Sequence, residues 1–441
     1  MCLSRLINKI LGKTGDRVMK KTTFMVYMGG DNGSVLSQLD VDKDIMEMRT
    51  VGSDESLNIV VQADKWDKRS GESTTRRYLV SNNFQGVEGL AQMMDQVDNI
   101  GPTNTGDPNI LINFIDWCVD NYPADRYVLV LWNHGSGPKD ETPYRSIFVD
   151  RSGGTKETSI SSTVRNELSA LSNNTYDVAE TKAILFDDTS KDFISNLELA
   201  AVLKHSYDKI GGKVSILGFD ACMMQMLELA AECAPYADKM IGSEEIEPGD
   251  GWNYGLALRD LENNPSISTT ELCIRIVNAY AEEYASSPFG ERITLSALNL
   301  NAIQDVLESL DIMADTLISE LRVFDSRDKI IAARNDAQAM YDTDYIDIVD
   351  FAINLRNRFP VSSRINMAAS RLISSLSPGG GAAGGSSFVI HEVSVNYDTK
   401  RTHGVAIYHP MVHASITPFY DRLRMNSVTR WKEYLDLYTS L

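Results

Sequence analysis

Apolar runs of strand length alternate with helix-period stretches through the first half of this chain, and that alternation constrains the fold. Thr22–Met28, Leu57–Ala63, Tyr127–His134 and Lys213–Cys222 read as buried strands. Between them lie a stretch carrying Leu39, Ile45, Met46 and Met48, then Asn109–Asn121, then Leu197–Leu203, all with helical spacing. Strands joined through helices need crossover connections, so the expectation is an α/β fold around a mainly parallel sheet. Thr74–Val80 alternates and reads as a more exposed strand.

Two of the buried strands end in reactive side chains, His134 in one and Cys222 in the other. In an open α/β sheet, ligands bind beyond the carboxyl ends of the strands. Two such strands deliver an imidazole and a thiol to one edge, the layout of a cysteine nucleophile with its base. A free thiol, with a pKa of about 8.5, is mostly protonated at neutral pH and needs local help. Met223–Cys233 is apolar enough to form a helix directly behind Cys222, whose N-terminus would favour the thiolate. Gly135-Ser136-Gly137 lets the backbone turn sharply after His134. The N–H groups of Gly135 and Cys222 are the expected oxyanion donors. A lone His before Gly is ordinarily a turn residue, and a lone Cys at a strand end is ordinarily a buried thiol; the pairing carries the reading.

Composition narrows the alternatives. The 441 residues have room for several domains or one large one with additions, and their net charge of −19 argues against nucleic acid as a partner. Five widely spaced cysteines make no disulfide framework, and Cys118, Cys233 and Cys273 sit in helical, apolar surroundings. His391, His403 and His409 fall near the C-terminal strands without cysteines or carboxylates at ligand spacing, so no metal site is expected there. His205 lies on a helix and His413 follows the last strand. No run approaches the ~20 apolar residues of a membrane span. Residues 1–20 are basic and weakly amphipathic, without the apolar core of a signal peptide. A disordered leader is the plainer reading; a lipid-bearing Cys2 is the other.

The expected domains are that leader (1–20), a catalytic domain (21–300) and a helical C-terminal region (301–441). A long polar loop at 138–182, rich in Ser, Thr, Asn and Gly, interrupts the catalytic domain. Helices are expected over Thr269–Tyr284, Ala302–Arg322, Ile346–Phe359 and Arg364–Leu376, with a Gly-rich linker at Ser377–Ser387. Ser387–Asn396 and Gly404–Tyr408 are expected to form a terminal β-hairpin on the catalytic domain.

Asn133-His134-Gly135 and Asp220-Ala221-Cys222, each closing an apolar strand, resemble the caspase-like clan of cysteine peptidases, and the clostripain family in particular. Met25–Asn32, Val130–Gly137, Gly218–Met224, Ser243–Tyr254 and Gly404–Pro410 look like that family's blocks, in matching order across about residues 22 to 410. The resemblance implies a caspase-like α/β/α sandwich and an endopeptidase that cleaves after Arg or Lys. It implies Cys222 as nucleophile, His134 as general base and acid, and protein or peptide substrates. It also implies carboxylates in the specificity pocket. Asp220, two residues before Cys222 and on its strand face, is the first candidate. Asp250 is the second, standing equal with a turn-capping role.

Family members are made as latent chains that cut themselves between the His and Cys strands. Lys139, Arg145, Arg151, Lys156 and Arg165 are the available sites, Arg145 or Arg151 being preferred. The product would be a monomer of associated fragments, in an extracytoplasmic setting as the family implies. No cofactor is expected. Some relatives need calcium, and Glu244, Glu245 and Glu247 are acidic enough to bind it, although a solvated loop is their plainer role. A peptidase or transpeptidase of other specificity, or a non-catalytic surface protein on the same fold, are the alternatives.

Overall fold

A computed structural model describes residues 19–31, 35–67, 72–82, 96–138, 184–285, 292–377, 387–395, 399–412, 416 and 420–441. In chain order the strands are β1 (Lys20–Gly29), β2 (Leu57–Asp67), β3 (Glu72–Leu79), β4 (Gln96–Gly101), β5 (Ala124–Trp132), β6 (Ile184–Asp187), β7 (Asp192–Ile194), β8 (Ile216–Asp220), β9 (Lys239–Gly242), β10 (Thr294–Asn299), β11 (Tyr345–Asp347), β12 (Val389–Ser394) and β13 (Ala406–Tyr408). One nine-stranded sheet runs β12-β10-β9-β8-β5-β1-β2-β3-β4. Its five central strands, β9 to β2 in that order, are parallel. Each flank adds two antiparallel strands.

Burial explains the layering. In β1, Phe24, Val26 and Met28 enter one core, while Met25 and Tyr27 enter the other, as the period of two requires. Helices α1 (Val35–Arg49), α5 (Tyr254–Asn263) and α6 (Thr269–Tyr284) cover the first face with Ile45, Leu258 and Ile276. Helices α2 (Pro108–Asn121), α3 (Asn196–Ile210) and the short α4 (Leu227–Cys233) cover the second with Phe114, Leu203 and Leu229. Both faces are buried, so the central strands read as continuous apolar runs rather than alternating ones. The result is the expected α/β/α sandwich.

The C-terminal helices α7 (Ile303–Glu320), α8 (Phe324–Asn335), α9 (Ile348–Arg358) and α10 (Arg364–Leu376) extend the second layer; α11 (Arg424–Val428) and α12 (Trp431–Thr439) complete it. The anticipated terminal hairpin does not form. β12 joins the main sheet beside β10, whereas β13 pairs with β11 across another part of the molecule. Each finds a partner far away in the sequence, which no local turn signal could announce. The 301–441 region thus contributes a strand to the central sheet. The Gly-rich stretch at 378–386 lies outside the described residues.

Candidate active site

Parallel register brings the two reactive strand ends together. β5 and β8 pair with Trp132 opposite Asp220, and the Asn133 N–H donates to the Asp220 carbonyl at 3.2 Å. His134 and Cys222 stand two residues past this last pair, beyond the ends of β5 and β8. The turn after His134 packs directly on the cysteine turn: a Cβ on Gly135 would lie 2.4 Å from the Cys222 carbonyl oxygen. Only glycine fits there. Gly137 takes φ +64, and the Tyr345 hydroxyl donates to the Ser136 carbonyl at 2.6 Å. Gly135 also bridges Ile184 in antiparallel fashion, joining the turn to β6.

Asn133 fixes the base of this turn. Its side-chain amide donates to the carbonyls of Gly29 at 2.7 Å and Phe186 at 2.9 Å, while its oxygen accepts from the His134 N–H. The Phe186 ring meets the His134 ring edge-on at 6.3 Å. Surrounding protein lowers the His134 pKa by withholding water, against the pull of Asp188 in the other direction.

The cysteine is not at a helix N-terminus as the sequence suggests. Met223 adopts the left-handed region at φ 55, and α4 begins only at Leu227. The help for sulfur comes from a loop instead: the Glu247 N–H donates to Sγ at 3.2 Å. Burial nonetheless pushes the Cys222 thiol up, with Asp220 and Glu245 adding to the rise and the Glu247 N–H opposing it. Cys222 is half-buried, whereas Cys118, Cys233 and Cys273 are sealed in the core as structural thiols.

Asp220 lies beneath the 247–254 loop, 4% exposed, and its Oδ2 accepts from the Tyr254 hydroxyl at 2.8 Å and the Trp252 N–H at 3.3 Å. Asp44 of α1 and Glu247 lie in the same electrostatic cluster. Burial raises the pKa of all three carboxyls, and their mutual repulsion raises Asp44 and Glu247 further. Among the described residues, Trp132 lies near the Asp44 carboxyl and Asp220 and Trp252 near that of Glu247, while the oxygens of both are shut from solvent. Beside Cys222 these groups form an acid well, on whose Asp220 and Asp44 Lys43 acts from a distance. Lys43 itself pairs with Asp250 at 3.1 Å, and Asp250 is 60% exposed. Asp250 therefore stands apart from the well, as a neutralised surface group. Asp44 and Glu247 gave no local signal, because each joins Asp220 only through tertiary folding.

The three glutamates considered for calcium point to different partners. Glu244 accepts from the Gly404 N–H at 3.0 Å, Glu245 pairs with Arg292 at 2.5 Å, and Glu247 belongs to the acid well. The C-terminal histidines are likewise separate: His391 bonds Asn278, His403 bonds Asp347, and His409 is buried against Tyr434. His413 and the five basic residues at 139, 145, 151, 156 and 165 fall outside the described residues.

A sandwich in which adjacent parallel strands end in His and Cys belongs to the caspase-like cysteine peptidases. The sequence profile of the clostripain family matches residues 26–169 and 168–441, and the chain belongs to that family of cysteine peptidases. Clostripain of Hathewaya histolytica is 26% identical over 267 residues, covering 56% of this chain and 43% of that relative, so the match spans less than half of the relative's length. Among solved structures, a secreted C11 cysteine protease from Bacteroides thetaiotaomicron, in complex with an irreversible peptide inhibitor, has a TM-score of 0.60 at 16% identity, covering 94% of this chain and 99% of that one. An inactive zymogen C11 protease from Parabacteroides distasonis has a TM-score of 0.56 at 17% identity, covering 94% and 100%. Likeness at these identities speaks for the fold. Among the described residues no helix is long and apolar enough to cross a membrane.

Proposed function

We propose that the chain is a cysteine endopeptidase that hydrolyses peptide bonds after Arg or Lys, with Cys222 as nucleophile and His134 as its base. The observation that carries this reading is the register of β5 and β8, together with the packing of Gly135 on the Cys222 turn. Burial favours the neutral thiol and the neutral imidazole in the resting pair. Sulfur then attacks the substrate carbonyl as His134 takes the thiol proton. The N–H groups of Gly135 and Cys222 receive the oxyanion. His134 returns the proton to the departing amine, leaving a thioester, and next draws a proton from the water that hydrolyses it.

The acid well accounts for the basic side chain at the cleaved position. An Arg or Lys cation beside it favours ionisation of one carboxyl, Asp220 first, and pairs with that carboxylate while the proton leaves to water. Activation by self-cleavage after one of the basic residues in the 138–182 loop, Arg145 or Arg151 first, fits a relative described as an inactive zymogen. The product on this reading is a monomer of associated fragments, and the secreted relative supports an extracytoplasmic setting.

The test is a matched set of fluorogenic peptides with Arg, Lys or a neutral residue before the scissile bond, run on wild type and Cys222→Ala. Turnover of the basic peptides alone, abolished in the variant, supports the reading. Turnover of neutral peptides would favour a peptidase of other specificity. No turnover by a chain that sequencing shows to be cut, with no iodoacetamide labelling at Cys222, would favour a non-catalytic role.

A further inference from the structure

The C-terminal region meets both turns of the candidate active site through the stretch from Gln338 to Asp347, and the peptidase reading makes no use of that contact. The stretch closes on itself: the Asp347 N–H donates to the Gln338 carbonyl at 2.9 Å, and the Met340 N–H to the Tyr345 carbonyl at 3.0 Å. The C-terminal core holds it from behind. Tyr345 of β11 pairs with Tyr408 of β13, and the His409 N–H donates to the Asp344 carbonyl at 2.7 Å. The Arg334 guanidinium joins the carbonyls of Thr343 and His409, at 2.6 and 2.7 Å.

One side of this block bears on the His134 turn. Tyr345 is fully buried, and its hydroxyl donates to the Ser136 carbonyl at 2.6 Å. Its ring lies against Gly137, where a Cβ would sit 3.2 Å from the ring's Cε2 and Cζ and 3.0 Å from the Met223 carbonyl oxygen of the cysteine turn. Gly137, at φ +64, thus lets the ring and both turns close on one point. The other side bears on the cysteine loop. The Tyr341 N–H donates to Glu245 Oε2 at 3.0 Å, and Arg292 links Glu245 Oε1 to the Ala339 carbonyl, each at 2.8 Å. The Glu245 carbonyl in turn accepts from the Met223 N–H at 2.9 Å.

We propose that Tyr345 is a positioning residue for the reaction, its hydroxyl fixing the 134–137 turn that carries the His134 imidazole and the Gly135 N–H. The inference rests on the dyad reading above. Asn133 fixes where this turn begins, through its bonds to the Gly29 and Phe186 carbonyls, and Tyr345 fixes where it ends. The carbonyl it holds lies one residue beyond the proposed oxyanion donor and two beyond the base. A turn pinned at both ends keeps imidazole and N–H aligned with the sulfur, and loss of alignment costs rate rather than substrate affinity. The hydroxyl acts through the turn, without touching the reacting atoms.

Tyr345→Phe keeps the ring in the core and removes one hydroxyl. Tyr434→Phe is the control, losing a buried hydroxyl of α12 that bonds His409 Nε2 at 2.9 Å in the same C-terminal core. On an Arg peptide we expect Tyr345→Phe to lower kcat about tenfold with KM changed by less than about twofold, and Tyr434→Phe to leave both near wild type. Hydrogen exchange read by mass spectrometry follows the turn without activity. Amides of residues 133–137 should exchange at least about threefold faster in Tyr345→Phe than in wild type or Tyr434→Phe, with β2 unchanged in both variants. Wild-type kcat in Tyr345→Phe, a loss carried by KM, an equal loss in Tyr434→Phe, or unchanged exchange over 133–137 overturns the assignment. Should wild type cleave no better than Cys222→Ala, the dyad reading has failed, and the exchange comparison alone decides whether Tyr345 holds the turn.

Discussion

Replacing Asp220 with Asn tests how the well selects its substrate. The asparagine oxygen can still accept from the Tyr254 hydroxyl, now 2.8 Å from Oδ2, so the loop above it should hold. What disappears is one negative charge at a site only 4% exposed. Breaking a buried ion pair by removing one partner costs about 3–5 kcal/mol. Asp44 and Glu247 remain to face the cation, which argues for the lower end. That corresponds to a fall of about a hundredfold in kcat/KM on Arg and Lys peptides. A matched peptide with Gln before the scissile bond has no cation to lose and should change by less than about threefold. Asp250→Asn is the comparison: Lys43 already neutralises this exposed carboxylate, and surface pairs contribute about 0–1 kcal/mol, so its effect should be small on every peptide. Burial raises the pKa of the resting acid groups, and a neighbouring cation lowers it again. The rate on Arg peptides should therefore rise with pH more steeply than the rate on Gln peptides. Equal losses on Arg and Gln peptides in Asp220→Asn, or a larger loss in Asp250→Asn, would refute the argument.

Two further outcomes follow from the geometry. Gly135→Ala puts a Cβ 2.4 Å from the Cys222 carbonyl oxygen, a backbone atom that cannot step aside alone, so the His134 turn must shift. A displacement of about 1 Å costs about a hundredfold in kcat; activity near wild type with unchanged Tm would contradict it. Glu228 is buried under Tyr420, whose hydroxyl donates to Oε1 at 2.6 Å, and burial raises its pKa from the ordinary 4.5 to about 7. The folded chain thus holds this proton more tightly than the unfolded chain. Its contribution is complete below about pH 4.5 and is lost as pH rises through about 7. Glu228→Gln keeps the acceptor and removes the titration. Between pH 5.5 and 8.5, urea unfolding of wild type should lose up to about 2 kcal/mol more stability than the variant; matching slopes would remove Glu228 from the account.

Parts of this molecule were legible because their signals are local. The buried strands reveal themselves as runs without polar interruption, since both faces of β1, β5 and β8 are covered. That the strands leading to His134 and Cys222 lie side by side could be read from sequence, because each is such a run and parallel pairing aligns their ends. Non-local contacts were invisible. The helix expected at Met223 fails because the chain first turns through a left-handed Met223, whose N–H goes to the Glu245 carbonyl at 2.9 Å. That carbonyl lies in a loop the local pattern does not connect to the cysteine. β12 and β13 likewise part because β10 and β11 offer each a better edge than they offer one another. Asp44 reaches Asp220 from a helix about 175 residues earlier, a distance across which apolar periodicity says nothing.

Glu247 ties the two halves of the proposed chemistry together. Its backbone N–H reaches the Cys222 sulfur, while its carboxyl lies against Asp220 in the acid well. A cation settling in the well pulls on the carboxyl of the residue whose N–H contacts the nucleophile. Substrate recognition and sulfur placement then become one event rather than two. The resting thiol has little thiolate character, because burial and neighbouring acid groups both oppose ionisation. A peptidase with this arrangement should show its preference for Arg and Lys in kcat as well as in KM, since the cation helps set the geometry of attack and not merely the residence of the substrate.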